Sequence, residues 1–219
     1  EKGNLIDRIR AEVNEKRQYA VNRVLEEMCQ EEAYGVGRLG REGDVEAITP
    51  QSAWARYREL LAHSRLELYY CGSAETDEVC VILQRALSGL PREGGYEVPD
   101  TVVVPAAREV RRVEEAMDVA QGKLTMGFRT GGVTAAGPDY PALVLCNALF
   151  GGTTTSKLFL NVREKLSLCY YASSSLLRYK GVMVVSSGVE FSNVGRAQDE
   201  IEAQLEACRR GEFEPWEVD

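Results

Sequence analysis

The side chains able to carry chemistry are few and widely spaced. His63 is the single histidine, in LLAHSRL at the end of a helix-forming run. A catalytic zinc is held by several protein ligands, usually more than one of them histidine, so His63 cannot assemble such a site alone. A histidine closing a helix is favoured instead by the negative end of the helix dipole. A Cys–His nucleophilic pair through His63 would need a cysteine signature, and none of Cys29, Cys71, Cys80, Cys146, Cys169 and Cys208 sits in one. These cysteines are far apart, without C-x-x-C pairs, in a chain too large to need staples, so reduced and mostly buried thiols are expected. The carboxylate pairs Glu26-Glu27 and Glu31-Glu32 fall on charged helix faces and read as solvated surface. GGTTTSK looks like a phosphate loop but lacks the glycine directly before Lys157 that P-loop spacing demands. Gly151 and Gly152 rather end one helix, and Thr155 or Ser156 caps the next.

Those residues must be positioned by a packed chain. With 219 residues, 44% apolar, 27% charged, 20 Gly and 7 Pro, the composition is that of a globular chain and excludes collagen-like and low-complexity classes. The net charge of -8 argues against nucleic acid or an anionic membrane as partner. No apolar run approaches the ~20 residues of a bilayer span, and EKGNLIDRIR lacks a signal-peptide core, so a cytoplasmic location is expected. The chain begins without Met and stops in EPWEVD, where a helix pattern opens, so it reads as a piece of a longer protein.

Leu5, Ile9 and Val13, then Ala20, Val24 and Met28, describe one long or two consecutive amphipathic helices over about 4–33. GVGRLGREGDVEA is a loop, and Thr49-Pro50 supplies an N-cap and a first-turn proline for a helix through Trp54, Tyr57, Leu60 and Leu61. RLELYYCGS alternates as a strand, and Asp77-Glu78 opens a helix carrying Val79, Ile82, Leu83, Ala86, Leu87 and Leu90. Pro91 to Pro105 is polar and proline-flanked, the best boundary in the chain. Beyond it, Val110 and Val113 and then Leu124, Met126 and Phe128 mark two strands, expected to be antiparallel neighbours because VAQGK cannot hold a crossover helix. Helices over about 139–150 and 155–166 follow, then a hairpin of Cys169–Tyr179 and Val182–Val189 around Lys180-Gly181. Ser192 caps a last helix running to Arg210 before Gly211. The sum is an α+β chain: an antiparallel sheet with helices packed on one face.

Within this frame LFGGTTTSKLFLNVREKLSLCYYASS resembles the signature of the second, non-zinc half of the insulinase, pitrilysin and mitochondrial processing peptidase family of metallopeptidases. Gly151, Gly152, Ser156, Leu158-Phe159, Arg163-Glu164-Lys165 and Tyr170 stand in the family's order and spacing. EKGNLIDRIRAEVNEKRQYAVNRVLEEM resembles the helices behind the zinc motif of the first half, and ITPQSAWARYRELLAHSRLELYYCGS its later helix and strand. The resemblance implies that 1–90 is the C-terminal portion of the first half, 91–105 the linker, and 106–219 most of the second half.

Active members carry His-x-x-Glu-His and a downstream glutamate ligand. That motif would lie before Glu1, and the resemblance puts Arg8 near the place of the downstream ligand, with Glu12 one turn later. A cation beside a divalent metal is unfavourable, so a half without zinc is expected, with no metal ligand in this chain; Glu12 in the ligand's place would restore one. In the family an arginine and a tyrosine seven residues apart, matching Arg163 and Tyr170, reach toward peptide bound at another half's zinc. A guanidinium can grip a carbonyl or carboxylate and a phenol can donate to a developing oxyanion. Arg163, Tyr170 and the adjacent Tyr171 are thus the candidate substrate-binding residues, the first two also catalytic, with peptide as substrate and a zinc-bearing homologous subunit or a second copy as partner. The alternatives are an active zinc endopeptidase whose motif lies upstream, and a non-catalytic assembly module.

Overall fold

The structure is a computed structural model that describes residues 1–94 and 98–218. Gly95, Tyr96 and Glu97, inside the expected 91–105 linker, and Asp219 lie outside the described residues. In chain order the elements are α1 (Lys2–Glu12), α2 (Lys16–Met28), α3 (Glu42–Ala47), α4 (Pro50–His63), α5 (Thr76–Leu87), β1 (Gly122–Arg129) and α6 (Tyr140–Asn147). Two π-helical segments follow, Ala148–Gly152 and Leu158–Lys165, then β2 (Cys169–Leu177), β3 (Val182–Val189), α7 (Val194–Arg209) and α8 (Pro215–Val218). Glu1–Arg41 with Thr101–Asp219 gathers into one compact unit and Glu42–Asp100 into a second.

The larger unit is built on β3. Its sheet has the order β1-β3-β2, antiparallel throughout, and β3 is buried at all eight positions. A strand buried on both faces needs a layer on each. Met183, Val185 and Val189 meet Phe150, Leu158, Val162, Ala197 and Ile201 on one face, together with Leu124, Met126 and Phe128 of β1. That is the expected helix layer. The other face is covered by α2, whose Met28 sulfur lies where a side chain at Gly127 of β1 would stand. The hairpin turns at Lys180-Gly181, where both backbone N–H groups donate to the Leu177 carbonyl at 2.9 and 3.1 Å.

Several sequence expectations are refined. The 4–33 pattern becomes two helices broken at 13–15. Residues 110–113 form no strand: Val110 is 86% exposed, and β1 takes β3 as its partner. Side chains tie this segment to α2 instead, with Arg111 donating to the Glu27 carbonyl at 3.1 Å and Arg23 pairing with Glu115 at 2.7 Å. Asn193, not Ser192, stands at the N-cap of α7.

In the smaller unit the capping signal of α4 is realised in full. Ser52 N–H donates to Thr49 Oγ1 at 3.1 Å and Thr49 N–H to Ser52 Oγ at 2.9 Å, with Pro50 in the first turn. RLELYYCGS, by contrast, forms no strand. A strand is stable only with a hydrogen-bonded neighbour, and the described residues of Glu42–Asp100 contain none.

Candidate functional site

Among the described residues β2 is an edge strand, paired with β3 on one side only. Along it opens a cleft of about 370 Å³, lined by Arg17, Gly151–Thr154, Phe159, Arg163 and Tyr171–Ser173. Side chains of a strand alternate between faces, and both parities line the cleft, so it straddles the strand rather than lying on one face. Tyr171 and Ser173 point to the α2 side, where the Arg17 guanidinium donates to Ser173 Oγ at 3.1 Å and stacks 4.4 Å from the Tyr171 ring centroid. Ala172 points to the side of the π-helical segments, which bring in Gly151–Thr154, Phe159 and Arg163.

Two close approaches shape this wall. A Cβ at Gly151 would meet Ser174 Oγ at 2.6 Å and Leu158 at 2.7 Å, so only glycine lets the segment sit against β2. A Cβ at Gly188 would meet the Tyr171 ring at 2.5 Å, so the phenol lies across β3 where that strand has no side chain. The π-helical backbone is itself uncommon; such widened turns recur at functional sites. Leu166 N–H donates to Asn161 O at 3.1 Å, the five-residue step that widens the turn carrying Arg163.

Arg163 is 38% exposed, with its guanidinium 4.6 Å from the Phe159 ring and 3.3 Å from the exposed Glu164 carboxylate. Its charge reaches the start of β2. Burial pushes the Cys169 thiol up, while a hydrogen bond with Ser187 and the Arg163 charge pull the other way. Tyr170 stands apart from the cleft lining. The register slips between Cys169 and Tyr171, a bulge that leaves Tyr170 as the extra residue, and its hydroxyl donates to Glu190 at 3.3 Å. The fold therefore brings Arg163 and Tyr171 to one cleft and turns Tyr170 outward beside it. The Tyr171 hydroxyl is buried without a hydrogen-bond partner among the described residues.

Residues placed elsewhere by the sequence have plain roles. His63 ends α4 with Nε2 3.6 Å from Glu93, both half exposed or more. Cys29, Cys169 and Cys208 are buried, Cys146 is intermediate, and Cys71 and Cys80 are exposed. Arg8 and Glu12 share α1, and the Glu12 carboxylate accepts from Asn22. Among the described residues no three His, Cys, Asp or Glu side chains come together as a metal would require. Of the Glu31-Glu32 pair, Glu31 is solvated, 77% exposed, but Glu32 is not. Glu32 is 6% exposed, 2.5 Å from Arg129, and also bound by the buried Lys180. A charge pattern shows that a helix face is polar, but not which neighbours will close over it.

Against known proteins, residues 47–219 match the family model described as the peptidase M16 inactive domain. The chain belongs to this peptidase M16 inactive domain family. It is 35% identical, over its whole length, to a protein of Bacillus subtilis named "Probable inactive metalloprotease YmfF", of which it covers 50%. A conserved protein from Enterococcus faecalis superposes over 99% of the chain with a TM-score of 0.88 and 28% identity, and 51% of that protein is covered. A peptidase M16 inactive domain from Pseudomonas fluorescens superposes over 96% of the chain at a TM-score of 0.64 and 16% identity, with 54% of that protein covered. The chain thus spans about half the length of these relatives. Among the described residues no helix is long and apolar enough to cross a membrane.

Proposed function

We propose that this chain is the substrate-gripping, non-zinc part of an M16 peptidase homologue in the cytoplasm. It holds an extended peptide while a zinc-bearing homologous subunit, or another copy in a dimer, performs hydrolysis. The observation that carries this reading is the convergence of Arg163 and Tyr171 on one cleft along the free edge of β2. An unpaired edge offers backbone donors and acceptors to an added strand. Arg163 would grip a peptide carbonyl or carboxylate beside it, with Tyr170 next along the strand offering a phenol. In segment terms, the proposal assigns 1–90 to the first peptidase-like half, 91–105 to the linker and 106–219 to the second half. The name of the Bacillus subtilis relative favours an inactive homologue over a complete endopeptidase.

The test mixes the full-length protein with a zinc-bearing homologue and follows peptide cleavage. Arg163→Ala and Tyr170→Phe should each lower turnover, by up to the ~100-fold or more that a transition-state donor supplies. Unchanged cleavage by both variants and by Tyr171→Phe removes the assisting role.

A further inference from the structure

We propose that Arg17 is a specificity-determining residue of this cleft and that, with Arg163, it selects peptides presenting a carboxylate. The inference rests on the peptide-gripping reading and names the substrate class. The chain carries a net charge of -8, yet the cleft lining contains two arginines and no Asp or Glu. The two cations come from opposite sides of β2, Arg17 from α2 and Arg163 from the π-helical segment, so a group seated over the strand edge meets both.

Neither cation is consumed by its present contacts. Among the described residues the Arg17 guanidinium touches a hydroxyl and an aromatic face, and it is exposed. Among the described residues Arg163 lies over the Phe159 ring and pairs with the surface carboxylate of Glu164, 53% exposed, which an incoming anion can displace. Stacking on Tyr171 holds the Arg17 fork in place, and a planar fork matches a carboxylate with two parallel hydrogen bonds. Lys123 Nζ, 5.9 Å from the centroid of the same ring, adds to the positive field. The hydroxyls of Thr154 and Ser173 add further polar groups to the lining. The ligand group is an Asp or Glu side chain or a peptide C-terminus, which share this chemistry.

The test is a fluorescence-anisotropy titration of the full-length protein with four matched peptides: one glutamate or its glutamine twin, each with a free or an amidated C-terminus. The peptide with no carboxylate should bind about tenfold more weakly than the one with both, and the single exchange that reproduces the loss identifies the source. Arg17→Gln should erase that difference while leaving the neutral peptide within about twofold, and Arg17→Lys should restore it in part. Added salt should weaken the carboxylate peptides alone. If all four peptides bind alike, the selectivity is wrong and peptide gripping stands. If none binds, both are wrong. Equal weakening of every peptide by Arg17→Gln would make Arg17 a prop for Tyr171 and also overturn the inference.

Discussion

The two compact units are written in similar amphipathic language and end up packed very differently. The unit holding the sheet buries Phe150, Leu158, Val162, Val185, Val189, Ala197 and Ile201 completely. In Glu42–Asp100, Val45 and Ala62 are the buried residues among those described, while Trp54 and Tyr57 of α4 and Ile82 of α5 remain exposed. Helical periodicity is at least as clear in α5 as in α7. What differs is the presence of a sheet to receive the apolar stripe. An amphipathic pattern states which face a helix can cover, and the stabilisation comes only when another surface meets it.

The strongest way to break this contrast is through charge buried in the sheet unit. Glu32 joins Arg129 and Lys180, all with side chains 6% exposed or less, and one Arg129 nitrogen finds no hydrogen-bond partner among the described residues. Glu32→Gln leaves two buried cations uncompensated and should cost about 3–5 kcal/mol in chemical denaturation. Burial alone would raise the Glu32 pKa, but hydrogen bonds from Lys180 and Arg129 outweigh it and hold the carboxyl below its ordinary value. A depressed folded pKa stabilises above the unfolded value and is lost as pH falls through the folded one. Wild type should therefore lose stability below about pH 4.3 by a component that Glu32→Gln lacks.

A smaller effect compares apolar truncations. Leu158→Ala opens a cavity in the sheet core and should cost about 2–5 kcal/mol. Ile82→Ala in α5, where the side chain is 64% exposed, should stay within about 0.5 kcal/mol in the same chain. Comparable losses at the two positions would mean that α5 is covered in solution. The gentlest probe alters no residue. Cys208 is pushed up to about 11 by burial and the neighbouring Cys146, and burial likewise raises Cys29 and Cys169. A thiol reagent at about pH 8 should modify exposed Cys71 and Cys80 quickly and the buried thiols only after denaturant is added. Fast reaction of Cys208 would show that the sheet unit opens more readily than its packing implies.

Much of the fold was legible from local rules. Thr49-Pro50 and the hairpin at Lys180-Gly181 fall where turn and capping chemistry put them, whereas Gly151 and Gly152 lie inside a π-helical turn capped by Thr153. The cleft was legible in part. The family signature pointed to Arg163 and Tyr170, with Tyr171 beside it, yet only Arg163 and Tyr171 share the cleft, because a bulge in β2 sends Tyr170 outward. Arg17 carried no signal beyond its place on the polar face of a helix. The alternating segments at 66–71 and 110–113 have the strand period and form no strand, since pairing depends on a neighbour and not on the segment.

The order of residues determined most of the helices, the cap of α4, the hairpin turn, the α+β class and the family, all of which rest on interactions within a few positions or on a short contiguous signature. Tertiary structure alone decided that β2 keeps a free edge, that Glu32 is enclosed between two cations, and that Arg17 reaches Ser173 across 156 positions of chain. Such meetings depend on how α2 and the hairpin close around the sheet, and no local preference of either segment encodes the distance between them.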